Sequence, residues 1–167
     1  SNFGLTEIER VELSGAASNS VGNTYTISGW TGELDIDGKS GTDLIESSGN
    51  TDFTLNDSSL KLGNIASTWT LSGIENAKLT GGTGDDCLNG GDGNDTYIID
   101  IATDVTTESN AAAAGGIDTV ETSVTRTLGA NIENVKLTGT TNISGTGNVL
   151  ANTLDGSVNT AANTLAG

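Results

Sequence analysis

The sequence predicts an all-β fold, a parallel β-solenoid built from short strands and Gly/Asp/Asn-rich turns, and three observations carry that expectation. Glycine is abundant (24 of 167 residues), proline is absent, and Thr, Ser and Asn are frequent, which reads as many short strands punctuated by polar turns. Hydrophobic residues make up 34% of the chain and aromatics 4%, too lean for one thick core but sufficient for a thin stack of coils. The sequence also repeats itself: TEIERVELSG at Thr6–Gly15 returns as SGIENAKLTG at Ser72–Gly81 and as GANIENVKLTG at Gly129–Gly139. Ile8, Ile74 and Ile132 mark the copies, 66 and then 58 residues apart, too long for one coil and suited to several.

Each copy alternates as a half-buried strand does: Val11 and Leu13 inward around Glu12, Ala77 and Leu79 around Lys78, Val135 and Leu137 around Lys136. Two further echoes lie between the copies. GNTYTIS from Gly22 resembles GNDTYIID from Gly93, and GTDLIESS from Gly41 resembles GIDTVETS from Gly116. Together they predict a single domain over residues 1–167, with repeat units near 1–73 and 74–131 and a partial third over 132–167. The best helical candidate, Glu108–Ala114 within ESNAAAAGG, reads as a loop or single turn because glycines end it at once. Glu9, Glu75 and Glu133 each follow an isoleucine. A row of ligands or catalytic acids is one reading; solvated turn edges are favoured, since identical carboxylates stacked one strand apart repel.

From Gly81 to Ile98 the chain holds two adjoining copies of G-G-x-G-x-D-x-U-x, where U is large and apolar. Gly81, Gly82 and Gly84, then Gly90, Gly91 and Gly93, permit positive φ and let carbonyl oxygens turn toward one point. Asp86 and Asp95 add carboxylates, and an all-oxygen set on a flexible loop suits Ca²⁺ better than Zn²⁺ or copper. A short strand follows each loop, Cys87–Asn89 and Thr96–Ile98, with its middle residue inward. These residues resemble the calcium-binding repeat of the RTX, or hemolysin-type, family. DTYIID, GIDTVETSVTRTLGANIENVKLTG and GTGNVLANTL resemble sequence that flanks such repeats in large secreted bacterial proteins. The likeness is closest over Gly81–Asp100, extends to Gly116–Leu154, and before Gly73 rests on internal repetition.

The resemblance implies a parallel β-roll with Ca²⁺ held between stacked loops, and a metal set of Gly82, Gly84, Asp86, Gly91, Gly93, Asp95, Asp100 and Asp104. Nine residues then form half a coil, so each loop stacks on the loop eighteen positions away. Asp86 falls on Asp104, with Asp100 in the same loop. Asp95 falls on Ala77 and Ala113, leaving it the Gly91 and Gly93 carbonyls with Glu75 or Glu108. The Asp86 and Asp104 site is therefore expected to be the stronger, provided the register holds past Ile98. Gly22–Ser28 lacks the aspartates, and Gly147-Asn148, Ala151–Leu154 and Asn163–Leu165 carry Asn in their place. Amides hydrogen-bond between coils without a cation, which concentrates calcium in the middle third.

A formal charge of −16, from 22 acidic and 6 basic residues, argues against nucleic acid and anionic membrane as partners and favours cations. Outside Asp85–Asp104 the acids equally serve solubility. No apolar run is long enough to span a bilayer, and the amino terminus shows no signal pattern. Cys87 is the sole cysteine and the chain has no His, so neither an intrachain disulfide nor a cysteine–histidine pair can form. A Gly-x-Ser-x-Gly elbow, a Walker loop and a cysteine pair for zinc are also missing, and no enzymatic activity is expected. Only Trp30, Trp69, Tyr25 and Tyr97 offer faces for stacking on sugars. The expected function is a calcium-stabilised, secreted or cell-surface structural segment of an adhesin, S-layer or filament protein. The alternative is a calcium-dependent accessory module of a secreted enzyme, serving polysaccharide binding or folding and secretion. Ser1-Asn2 and Leu165–Gly167 stop inside repeat sequence, which predicts neighbouring repeats, or the chain itself end to end, as partners.

Overall fold

A computed structural model describes residues 10–15, 21–29, 33–49, 52–56, 59–63, 68–108 and 115–167. Strands β1 (Arg10–Ser14), β2 (Thr24–Ser28), β3 (Glu33–Asp37) and β4 (Leu44–Ser48) come first. β5 (Phe53–Asn56), β6 (Ser59–Leu62), β7 (Thr68–Ser72), β8 (Asn76–Thr80), β9 (Cys87–Asn89) and β10 (Thr96–Ile99) follow. Then come β11 (Val105–Thr107), β12 (Thr119–Thr122), β13 (Arg126–Thr127), β14 (Asn134–Leu137), β15 (Ser144–Thr146), β16 (Thr153–Asp155) and β17 (Thr164–Ala166). The described residues contain no helix, and so no helix long and apolar enough to cross a membrane. Residues 109–114, most of the predicted alanine-rich loop, lie outside the described set, as do Glu9 and Trp30.

The strands form three sheets: β1-β3-β7-β6-β5-β9-β11, then β16-β14-β12-β10-β8-β4-β2, then β13-β15-β17. The even strands apart from β6 make up the second sheet, while β6 and the odd strands divide between the first and third. From β7 onward the chain therefore alternates between the second sheet and one of the others. Pairing is parallel except at β5, β6 and β7, where β6 runs antiparallel to both neighbours. That meander departs from the uniformly parallel stack expected from sequence. It places Phe53, Leu55, Leu60 and Trp69 in the core.

Period-2 alternation sets which side chains are inside. Ile27, Ser47, Leu79, Tyr97, Val120, Val135 and Leu154 form one column across all seven strands of the second sheet. Leu79, Tyr97 and Val120 have no exposed surface. Each fully buried aliphatic of this kind contributes about 1.5–3 kcal/mol. Leu88 and Tyr97, the inward residues of the two nonapeptide strands, are both fully buried, and Cys87 is exposed. β9 pairs in parallel with β11 from Cys87↔Val105 to Asn89↔Thr107, the eighteen-residue spacing that the nonapeptides predict. The next column, Tyr25, Ile45 and Ala77, changes character after Ala77: the Ala77 N–H donates to Asp95, and acids hold this edge from there to Glu133.

Candidate metal centre

The turns that lead into the second sheet are tied together by carboxylates. Asn23 N–H donates to Asp43 Oδ1 at 2.6 Å, and Asp43 N–H to Glu75 Oε2 at 2.8 Å. Ala77 N–H donates to Asp95 Oδ1 at 2.6 Å, Asp95 N–H to Asp118 Oδ1 at 2.8 Å, and Asp118 N–H to Glu133 Oε2 at 2.9 Å. Each acid thus accepts a backbone N–H at the start of the preceding strand of the sheet or in the turn before it. Glu75 and Glu133 have more definite work than a solvated turn edge, because each satisfies a donor in the adjacent coil. Past Glu133 the same edge is held by an amide, Asn152 Nδ2 donating to the Ile132 and Glu133 carbonyls at 3.1 Å, and at the other end of β14 Asn159 Nδ2 donates to the Thr138 carbonyl at 2.7 Å.

Backbone geometry sets up the acids. Gly93 (φ 110°) and Gly116 (φ 81°) stand two residues before Asp95 and Asp118 in the left-handed region, where a Cβ is costly. Asn131, two residues before Glu133, takes the same turn at φ 62°, the non-glycine type that best tolerates it. Gly90 serves by close approach, since a Cβ there would overlap the Asp95 carboxylate and the Tyr97 hydroxyl. Gly90→Ala is accordingly expected to cost about 1–3 kcal/mol through forced displacement of buried groups. Urea denaturation checks this by a lowered midpoint at unchanged slope; an unaltered midpoint would contradict the packing described.

One place on this edge concentrates charge. Asp95, Glu108 and Asp118 are all buried, at 1%, 5% and 1% exposure, with carboxylate oxygens within 4.8 Å of one another. Asp95 and Asp118 precede β10 and β12 of the second sheet, whereas Glu108 follows β11 of the first, so the cluster spans the two sheets. Glu108 Oε1 accepts the Tyr97 hydroxyl proton, and the Tyr97 oxygen accepts the Gly90 N–H at 2.9 Å. Asp95 Oδ2 and Glu108 Oε2 are buried and meet no donor. Burial, reinforced by the neighbouring carboxylates, raises Asp95 and Glu108 to about 8 and Asp118 to about 7.

A buried carboxylate oxygen without a donor costs several kcal/mol unless it is protonated or meets a cation. The donors here are all carboxylate oxygens with no His or thiolate among them, which fits a hard cation such as Ca²⁺ and suits Zn²⁺ or copper poorly.

The sequence-derived metal set divides between this cluster and a second turn. Asp86 and Asp104 do meet: Asp86 N–H donates to Asp104 Oδ1 at 3.1 Å, eighteen residues on. Both are buried, and Asp86 Oδ2 has no donor. Asp86 is raised first by burial and then by Asp104, Asp52, Asp100 and Asp85, which places Asp100 near this turn although its side chain is exposed. Gly82 and Gly84 lie in the turn before β9, and Gly91 and Gly93 in the turn before β10. The difference from expectation is at Asp95. The coil after it is longer, and the acid it meets is Asp118, 23 residues on, with Glu108 arriving from the opposite sheet. Sequence spacing missed Asp118 and Asp43, whereas Glu108 is one of the two acids it leaves open for Asp95 and Glu133 belongs to the row read as turn edges. Comparison of the chain with family models, curated proteins and solved structures finds no match.

Proposed function

We propose that this chain is a calcium-stabilised structural segment of an extracellular protein, its alternating strands winding as one parallel β-roll, in keeping with the RTX-type repeat that Gly81–Ile98 resembles. One observation carries the reading: three buried carboxylates converge from two sheets, and two of their oxygens have no donor. A single divalent cation there would offset most of the cluster's negative charge and fasten the sheets to each other. Asp95, Glu108 and Asp118 would hold it, with Asp86 and Asp104 supplying a second candidate position one turn away. The protein's own contribution is placement: Ala77 and Asp95 N–H groups orient Asp95 and Asp118, and Tyr97 orients Glu108. The formal charge of −16 supports the same reading, since self-repulsion weakens an apo chain and bound cations relieve it.

Calorimetric calcium titration of the wild type, Asp118→Asn and Asp86→Asn tests this. Affinity in the extracellular range, Kd about 10⁻⁴–10⁻³ M, is expected for the wild type. Removing one charged ligand from the triad should weaken its site by at least about tenfold, because ligand charge tunes affinity. Absence of binding heat up to tens of millimolar calcium, or an Asp118→Asn titration identical to wild type, rejects the triad as the site.

A further inference from the structure

Arg126 stands out among the basic residues. Lys39, Lys78 and Lys136 pair with Asp37, Glu46 and Glu121 on the sheet surfaces. The guanidinium of Arg126 instead turns back 22 residues toward the preceding coil. Nη1 donates to the Asp104 carbonyl at 2.6 Å, and Nη2 to Thr106 Oγ1 at 3.0 Å. Arg126 opens the third sheet at β13, and no strand pairing joins β13 to β11, the last strand of the first sheet. Where a backbone ladder would run, side chains take over: Arg126 at Asp104 and Thr106, and Asn131 Nδ2 at the Glu108 carbonyl, 3.1 Å away.

We propose that Arg126 is a resident counter-ion that closes the Asp86 and Asp104 column, holding oxygens that a metal ion would otherwise have to hold. It thereby frees the coils after it from a cation requirement. This inference rests on the cation reading above. The groups that Arg126 holds, a carbonyl and a hydroxyl oxygen beside a buried carboxylate, are of the kind a hard cation takes. A guanidinium meets them with a fixed planar fork, keeps its charge at any physiological pH and is more weakly hydrated than an ammonium group. Burial pulls its pKa down and the Asp104 carboxylate pulls it up, the balance of a charge partly removed from water beside its counter-charge. Beyond it, Asn148, Asn152 and Asn159 donate side-chain N–H groups to carbonyls of the preceding coils, bonds that need no cation.

The test compares melting of the full chain as wild type, Arg126→Met, Arg126→Gln and Arg126→Lys, in chelator, in about 10 mM calcium, and in chelator with 1 M NaCl. The Debye length in the last solution is about 3 Å, which screens the acids from one another. Arg126→Met is expected to melt about 5 °C below wild type in chelator. Most of that loss should return in calcium or in salt. Arg126→Gln keeps N–H donors without the charge and should follow Met, whereas Arg126→Lys should stay near wild type. If Arg126→Met does not fold in chelator, recovery of its β-sheet circular dichroism in calcium or salt carries the same information. A loss of equal size in all three solutions, no loss in chelator, or Gln behaving as Lys overturns the proposal. A wild type indifferent to calcium removes the calcium reading, while the contrast between chelator and salt in Arg126→Met still decides the role of Arg126.

Discussion

Transfer from chelator into about 10 mM calcium is expected to raise the melting temperature of the wild type by about 5–10 °C. A site with Kd near 10⁻⁴ M at a hundredfold excess of ion stabilises the folded state by about 2.7 kcal/mol. For a chain of this size each kcal/mol moves the midpoint by about 2–4 °C. Magnesium at the same concentration should do less, because it demands near-octahedral geometry and dehydrates reluctantly, whereas a carboxylate cage between two sheets suits the larger ion. Differential scanning calorimetry in the two ions and in chelator measures this. Identical midpoints in calcium and chelator would remove the metal from the account of stability. Asp95→Asn together with Asp118→Asn is the informative control: with two of three carboxylates gone the calcium increment should largely vanish, while stability in chelator should depend less on pH, because neutral amides replace two acids that must otherwise hold protons.

In chelator, stability should fall as pH rises from about 5 to 8, opposite to the usual acid lability of paired carboxylates. The folded protein holds protons on Asp95 and Glu108 up to about 8 and on Asp118 up to about 7, against ordinary values of 3.8 for Asp and 4.5 for Glu. Between those limits the folded state binds more protons than the unfolded one, so raising the pH favours unfolding. The stabilisation is complete below about pH 4 and is lost as pH passes through 7–8. Each proton of difference is worth about 1.4 kcal/mol per pH unit, so each of the three acids lowers the midpoint by about 3–5 °C per unit across its window. Calcium reverses the trend, because it binds the carboxylates and competes with protons, so its increment grows toward pH 8. Melting curves from pH 5 to 8.5 with and without calcium are the measurement. A flat or rising profile in chelator would show that the three acids are not held in their protonated form.

How much of this could be read from the chain depends on where period and spacing survive. The nonapeptides gave the eighteen-residue register of β9 and β11, the burial of Leu88 and Tyr97, and the meeting of Asp86 with Asp104. Past Ile99 the spacing changes to 23 and then 15 residues, so counting by eighteen from Asp95 misses Asp118. A local signal was present all the same. Gly41-Thr42-Asp43, Gly73-Ile74-Glu75, Gly93-Asn94-Asp95 and Gly116-Ile117-Asp118 share a left-handed glycine two residues before the acid, and the likeness of GTDLIESS to GIDTVETS contained two of the four. Glu108 carried no such mark and could be read only as an alternative to Glu75 beside Asp95. It reaches the cluster from the opposite sheet, and no one-dimensional period connects residues across a core. The antiparallel β5–β7 meander was equally hidden, because alternation identifies a strand without giving its direction.

The interruption between β11 and β13 has a mechanical meaning. On one side of the molecule, seven strands from β2 to β16 share an unbroken ladder of backbone hydrogen bonds; on the other, the ladder stops at β11 and starts again at β13. Pulled along the stacking direction, such a body does not stretch evenly. The unbroken face resists as a strap, while the divided face opens along a crease held by the side chains of Arg126 and Asn131. Under load this crease is where bending begins.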